Sequence, residues 1–332
     1  MTRPIGEQVV VLTGASSGVG RACARAFGAR GARLGLIARN EEALDVAADE
    51  VRRAGGEALV LPLDVADPEA VERAAASVER RWGRIDTWVN NAMLTVFAPV
   101  MEMTADEFRR VTEVTYLGYV HGTMAALRRM RPRDEGTIIQ IGSALAYRSI
   151  PLQGAYCAAK AAIRGFTDSL RCELIHDGSR VKLSMLQLPA INTPQATRQR
   201  NKLARQAQPV PPMFTPESIA DAVVWAAERA PREMLIGRPT VQAVWAQKFV
   251  PGLLDLYLGK TGYKPQMVDA PNDQHGRDIL FDTLPGDPGA HGPYRDRERG
   301  PDLQMRLRMH PRASLATAAL AVLGAIALAR RA

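Results

Sequence analysis

The stretch VVVLTGASSGVG, residues 9–20, decides how this chain is read. Residues 9–12 are four apolar positions, three of them β-branched, with the length and character of a buried strand. Gly14, Gly18 and Gly20 follow at once, and glycine there permits a tight turn and a close approach of backbone to an anion. A helix entered from such a turn presents free N–H groups and the positive end of its dipole to a phosphate. A glycine-rich turn alone is weak evidence; between a first strand and a helix it is much stronger.

Outward from this turn the same alternation repeats. Short apolar runs at 34–38, 58–63, 85–90, 137–141 and 183–188 are separated by amphipathic stretches. In 41–54, for example, Leu44, Ala47, Ala48 and Val51 recur at helical spacing. Strands alternating with helices imply βαβ units, and the right-handed crossover turns these into an α/β fold: a doubly wound, Rossmann-type parallel sheet with helices on both faces. One catalytic domain is expected over residues 1–262, with a substrate lid at 190–215, a helix at 216–230 and an apolar segment at 241–258.

The spacing Gly-x-x-x-Gly-x-Gly after Thr13 resembles that of the short-chain dehydrogenase/reductase family. Ser143, then Tyr156-Cys-Ala-Ala-Lys160 thirteen positions later, resembles the family's catalytic set, in family order behind the glycine-rich turn. On a helix, positions i and i+4 share a face, so Tyr156 and Lys160 address one bound molecule. A free phenol has a pKa of about 10 and is a poor base near neutrality. A nearby ammonium favours the phenolate and brings it into working range. Ser143 is expected to orient the substrate oxygen, and by resemblance Lys160 also binds the nicotinamide ribose.

The resemblance, over residues 6–250, implies hydride transfer between a nicotinamide cofactor and a small-molecule carbonyl or alcohol. It implies cofactor contacts from Gly14, Ser16, Ser17, Gly18, Val19 and Gly20, from Asp64 and Val65 after the third strand, and from Asn91 and Ala92 after the fourth. Ala38-Arg39-Asn40 closes the second strand without an acid, and the Arg39 guanidinium matches phosphate geometry. NADP(H) is therefore expected in preference to NAD(H). Two positions depart from the family pattern. Met93 replaces a usual glycine after Asn90-Asn91-Ala92, and Thr115 stands where an asparagine often holds a water of the proton relay. Thr115 is expected to take that catalytic role in altered form. Ile191 and Thr193, in a shortened stretch after the sixth strand, are expected cofactor contacts. The alternative to an enzyme is a cofactor-binding regulatory or scaffold protein in which these departures have weakened catalysis.

The remaining features bound the partners. The net charge is +8, but no zinc-finger or RNA-binding signature accompanies it, so nucleic acid is not expected. The five histidines show no metal-ligand pairing, and no metal is expected. Cys23, Cys157 and Cys172 fit small buried residues in a reducing compartment, and with no signal peptide evident a cytoplasmic location is expected. In the lid, Arg198, Arg200, Lys202 and Arg205 read as a solvated charge run, with attraction of an acidic substrate group as the other reading. Residues 263–312, rich in Pro, Gly, Asp and Arg, read as a flexible linker. The uncharged stretch 313–329 reads either as a membrane anchor, at about 25 Å the short limit for a bilayer, or as a docked alanine-rich helix. A homo-oligomer is expected from the family likeness alone.

Overall fold

Every one of the alternating apolar runs becomes a strand of one parallel sheet. The strands are β1 (Val9–Thr13), β2 (Arg33–Ala38), β3 (Glu57–Pro62), β4 (Thr87–Asn90), β5 (Thr137–Ser143), β6 (Lys182–Leu188) and β7 (Glu233–Leu235), in the order β7-β6-β5-β4-β1-β2-β3. All neighbours run parallel. The computed structural model describes residues 3–274 and 276–309. β7 has no counterpart among the sequence runs, because three residues are too few to show a period.

The pleat of β1 sorts its side chains between two cores. Val10 and Leu12 join the apolar residues of α1 (Gly18–Gly28), α2 (Glu41–Arg53) and α7 (Pro216–Arg229). Val9 and Val11 face α3 (Pro68–Trp82), α5 (Gly118–Met130) and α6 (Gly154–His176) on the other side. Helix starts follow from capping chemistry. The Asn40 side chain accepts from Ala43 N–H, Asp67 from Ala70 N–H, and Thr104 with Glu107 forms a capping box opening α4 (Ala105–Thr112). Because the strand order reverses between β1 and β4, a crevice opens beyond the carboxyl ends of these strands, where ligands of doubly wound sheets bind.

The apolar segment at 241–258 forms two helices, α8 (Arg238–Phe249) and α9 (Pro251–Thr261), broken where Pro251 removes a donor and restricts Val250. No residue of α9 is buried. The lid carries three short strand segments, each paired elsewhere: Arg200–Asn201 with Val96–Phe97, Arg205–Ala207 with Met267–Pro271, and Met213–Phe214 with Glu298–Arg299.

The expectation of a flexible linker over 263–312 is corrected over residues 264–274 and 276–309. This segment folds back on the catalytic body, buries Gln266, Leu280, Ala290, Tyr294 and Met305, and ends in α10 (Leu303–Met309) against α7. Its large apolar residues are few, and only Leu280, Tyr294 and Met305 among them are buried; polar anchors hold much of the rest. No helix among the described residues is long and apolar enough to cross a membrane, and the stretch 313–329 lies outside the described residues. Cys23 and Cys157 are buried as expected, whereas Cys172 is exposed on the outer face of α6.

Candidate active site

The glycine-rich turn is locked to the loop after β4. Thr13 Oγ1 accepts from the backbone N–H of Asn91 (2.8 Å) and Ala92 (3.1 Å), and Asn91 Nδ2 donates to the carbonyls of Thr13 (3.0 Å) and Gly14 (3.3 Å). Gly14 sits at φ +69°, and a Cβ on Gly20 would lie 2.0 Å from Gly14 O, so glycine is required at both positions. Ser17, at the N-cap of α1, makes no side-chain cap bond. Gly20 thus shapes the turn from behind, while Gly14, Ser16, Ser17, Gly18 and Val19 line a cavity of about 370 Å³ in the crevice.

At one end of this cavity, the end of β5 and the first turns of α6 bring the three expected catalytic side chains together. Ser143 and Tyr156 both line the cavity there, and Lys160 Nζ lies 5.6 Å from the centre of the Tyr156 ring. Lys160 is 1% exposed and donates to Tyr119 Oη (2.9 Å) and to Ile141 O (2.7 Å). Burial pushes its ammonium down to about 7. Burial likewise pushes the Tyr156 phenol up, opposed by the Ser143 hydroxyl. Tyr119, on α5, escaped the sequence reading; its hydroxyl donates to Ile141 O while accepting from Lys160.

A second support also went unread. Ser143 N–H donates to Gln187 Oε1 (2.9 Å), and Gln187 Nε2 donates to Glu233, which also accepts from Tyr147 Oη (both 2.8 Å). A Cβ on Gly142 would lie 2.3 Å from Gln187 Oε1, so the glycine lets the amide reach the strand end. Only the Gly-Ser pair closing β5 hinted at this.

Thr115 is not placed as expected. Its hydroxyl accepts from Leu94 N–H and donates to Leu94 O, both at 2.9 Å, and it is fully buried outside the cavity lining. It ties the π-helical turn Glu113–Leu117 to the loop after β4, and its hydroxyl is spent on that tie. Its neighbour Val114 lines the cavity instead. Met93 also lines the cavity, without the positive φ that would demand glycine there.

The cavity is also lined by Arg39, Asp64, Val65, Asn91, Ala92, Ile191 and Thr193. Asp64 is paired with Arg110, and a Cβ on Gly18 would meet Thr193 at 3.2 Å. Arg39 meets something unforeseen: its guanidinium donates to the main-chain carbonyls of Phe281 (2.7 Å) and Ile279. Of the basic lid run, Arg200 pairs with Asp278 and Glu107, Lys202 with Glu107 and Arg205 with Asp269. Arg198 alone of the four lines the cavity. No cluster of metal-ligating side chains occurs among the described residues.

With this geometry in place, residues 8–204 match the family model described as short chain dehydrogenase. The chain belongs to the short-chain dehydrogenase family. It is an oxidoreductase of the NAD(P)-dependent kind. This short-chain dehydrogenase is 34% identical over 279 residues to the uncharacterized oxidoreductase YxnA of Bacillus subtilis (strain 168), covering 83% of this chain and 78% of that one. It is 32% identical over 257 residues to the dehydrogenase/reductase SDR family member 7B of Bos taurus, covering 74% and 78%. Among solved structures it resembles a metagenomic short-chain oxidoreductase in complex with NADP (TM-score 0.58, 30% identity, 69% of this chain and 96% of that one). It also resembles an alcohol dehydrogenase of the archaeon Thermococcus sibiricus complexed with 5-hydroxy-NADP (TM-score 0.59, 30% identity, 69% and 95%).

Proposed function

We propose that this short-chain dehydrogenase interconverts a small-molecule carbonyl and an alcohol with NADP(H), using Tyr156 as acid/base. The observation that carries the reading is the convergence of Tyr156, Ser143 and Lys160 at one end of a cavity whose other end holds Arg39 and the open turn before α1. The residues present suit a dinucleotide. A tight turn that a Cβ at Gly20 would push apart, an uncapped helix start and a guanidinium without an acid beside it on the strand end form a donor set for phosphates. Ser16, Ser17 and Val19 would hold the pyrophosphate, Arg39 the 2′-phosphate, Asp64 and Val65 the adenine side, and Ile191 and Thr193 the nicotinamide side.

When bound, NADP(H) supplies or accepts the hydride. Ser143 Oγ positions the substrate oxygen beside the phenol. In reduction, Tyr156 donates its proton to that oxygen, and a phenol kept protonated by burial is suited to the task. In oxidation, Tyr156 takes the proton back, and Lys160, 5.6 Å from the ring centre, favours the phenolate while it carries its charge. By family likeness Lys160 would also hold the cofactor ribose. The alternative of a non-catalytic cofactor binder drew on Thr115 and Met93, and neither disturbs the three side chains at the catalytic end.

A screen of aldehydes, ketones and quinones for NADPH consumption, with NADH in parallel and Lys160→Ala as control, tests the reading. Turnover with NADPH at least about tenfold above NADH supports it. Binding of NADPH without turnover of any carbonyl class moves the assignment to the non-catalytic alternative. Residence on the cytoplasmic side, self-association, and membrane contact through residues 313–329 belong to the same proposal, and cell fractionation with sedimentation of the purified protein checks all three.

A further inference from the structure

The segment that meets Arg39 continues across the nucleotide end of the cavity. Thr283, Leu284 and Pro288 line it. At one side the Arg39 guanidinium holds the carbonyls of Ile279 and Phe281; at the other, Gly18 N–H donates to Gly289 O (3.0 Å). Between them Asn40 Nδ2 donates to Leu284 O (2.8 Å), Gly286 N–H to Glu42 (3.1 Å), and Arg21 pairs with Asp287 (3.2 Å). The path therefore spans both places at which phosphates of the dinucleotide would bind.

The way this segment is held distinguishes it from the rest of the wall. Leu280 and Ala290 are buried, but none of the nine residues between them is. Residues 281–289 are fixed mainly by polar contacts to their main chain, and Gly286 and Gly289 adopt positive φ. A stretch with buried ends, no buried middle and glycines at its bends is drawn from the low-stability end of a structure and opens as a unit.

We propose that residues 281–289 form a cover over the nucleotide end, hinged at Leu280 and Ala290, that must open for NADP(H) to enter and to leave. This rests on the cofactor reading above. Closed, the cover bars the outer side of the nucleotide end; open, it exposes Arg39 and the turn before α1. Cofactor exchange is then set by opening of the cover, a gating step of the kind that limits turnover in many enzymes.

The test is stopped-flow fluorescence of NADPH binding, and of its displacement by excess NADP, with the full chain. Two variants are compared with the wild type: Glu42→Gln with Asp287→Ala, neither of which lines the cavity, and a replacement of residues 281–289 by a Gly-Ser segment of equal length. Loss of wall contacts alone would speed release and leave association unchanged. A gate predicts that both rate constants rise, by about fivefold or more in the replacement, with a smaller rise in the double variant. NADPH binding by the replacement but not by the wild type would be the extreme form of the same result. An association rate in the replacement equal to that of the wild type overturns the cover. Absence of NADPH binding in all three proteins, each folded by circular dichroism, overturns the cofactor reading and the cover with it.

Discussion

At the catalytic end of the cavity, Ser143, Tyr156 and Lys160 stand on β5 and α6, inside a sheet packed on both faces. At the nucleotide end, Arg39 closes β2 and is met by a carbonyl 242 residues further along the chain. The first end is assembled by the core, which orders it whether or not a ligand is present. The second is completed by a returning segment whose middle has no buried side chain. On the proposed reading, chemistry and cofactor exchange fall to parts of the molecule that are held in different ways.

The largest expected effect isolates the catalytic end. Tyr156→Phe keeps the ring and its packing and removes the exchangeable proton. NADP(H)-linked turnover should fall by about 10²–10⁴, with NADPH affinity within about threefold of wild type. A matching loss of NADPH affinity, read by fluorescence titration, would mean that the two ends are not separable.

Next comes the anchoring of the returning segment. Leu280 is 1% exposed and sits in the core beneath the second face of the sheet. Leu280→Ala should cost about 2–5 kcal/mol in urea unfolding, the usual range for a buried leucine. A true linker residue would cost within about 0.5 kcal/mol, so a small value here would restore the linker reading of this stretch.

The same contrast accounts for what was legible in the sequence. Six of the seven strands stood out because an apolar run of four or more residues between helical periods fits a buried strand and little else; Glu233–Leu235 was too short to do so. Ser143, Tyr156 and Lys160 were legible as a motif, and the cavity gathers all three. Tyr119 and Gln187 were not, since a side chain that holds another side chain carries no spacing rule. The returning segment, residues 264–274 and 276–309, was misread for a further reason. Composition reports how much apolar surface a stretch can bury, and this one buries little. It is held by arginine and asparagine side chains donating to main-chain carbonyls, and every residue has a carbonyl. Thr115 was located correctly in the chain, but its hydroxyl is consumed by both polar groups of Leu94.

Arg39 tests the nucleotide end directly. Arg39→Ala removes a charged donor, and NADPH affinity should fall by about 10- to 100-fold, with NADH changed far less. Equal losses for the two cofactors would assign Arg39 to holding the cover alone.

Lys160 gives a smaller effect at the catalytic end. In the folded protein its ammonium is lost near pH 7, while the unfolded chain keeps it to about 10.4. Between these values the unfolded state binds a proton that the folded state does not, so stability rises with pH across the window, by up to about 1.4 kcal/mol per unit. Lys160→Met should lack that rise. Parallel pH–stability curves for the two proteins would mean that the Tyr119 and Ile141 oxygens hold the ammonium charged in spite of burial.

The smallest expected effect belongs to α9, which inverts the composition of the cover. Residues 281–289 are mostly polar or turn-forming and lie against the body; Leu253, Leu256 and Tyr257 are large and apolar, and each is more than 60% exposed. Core burial cannot account for their chemistry, since a side chain that stays in water in the folded state gains little by folding. Leu256→Ser should therefore leave the unfolding free energy within about 0.5 kcal/mol of wild type in the dilute protein. A larger loss that grows with protein concentration would show Leu256 covered by a second copy, and a loss independent of concentration would show it covered within the chain. In either case apolar composition would have signalled burial for α9 after all, and the contrast with the cover would reduce to the cover alone.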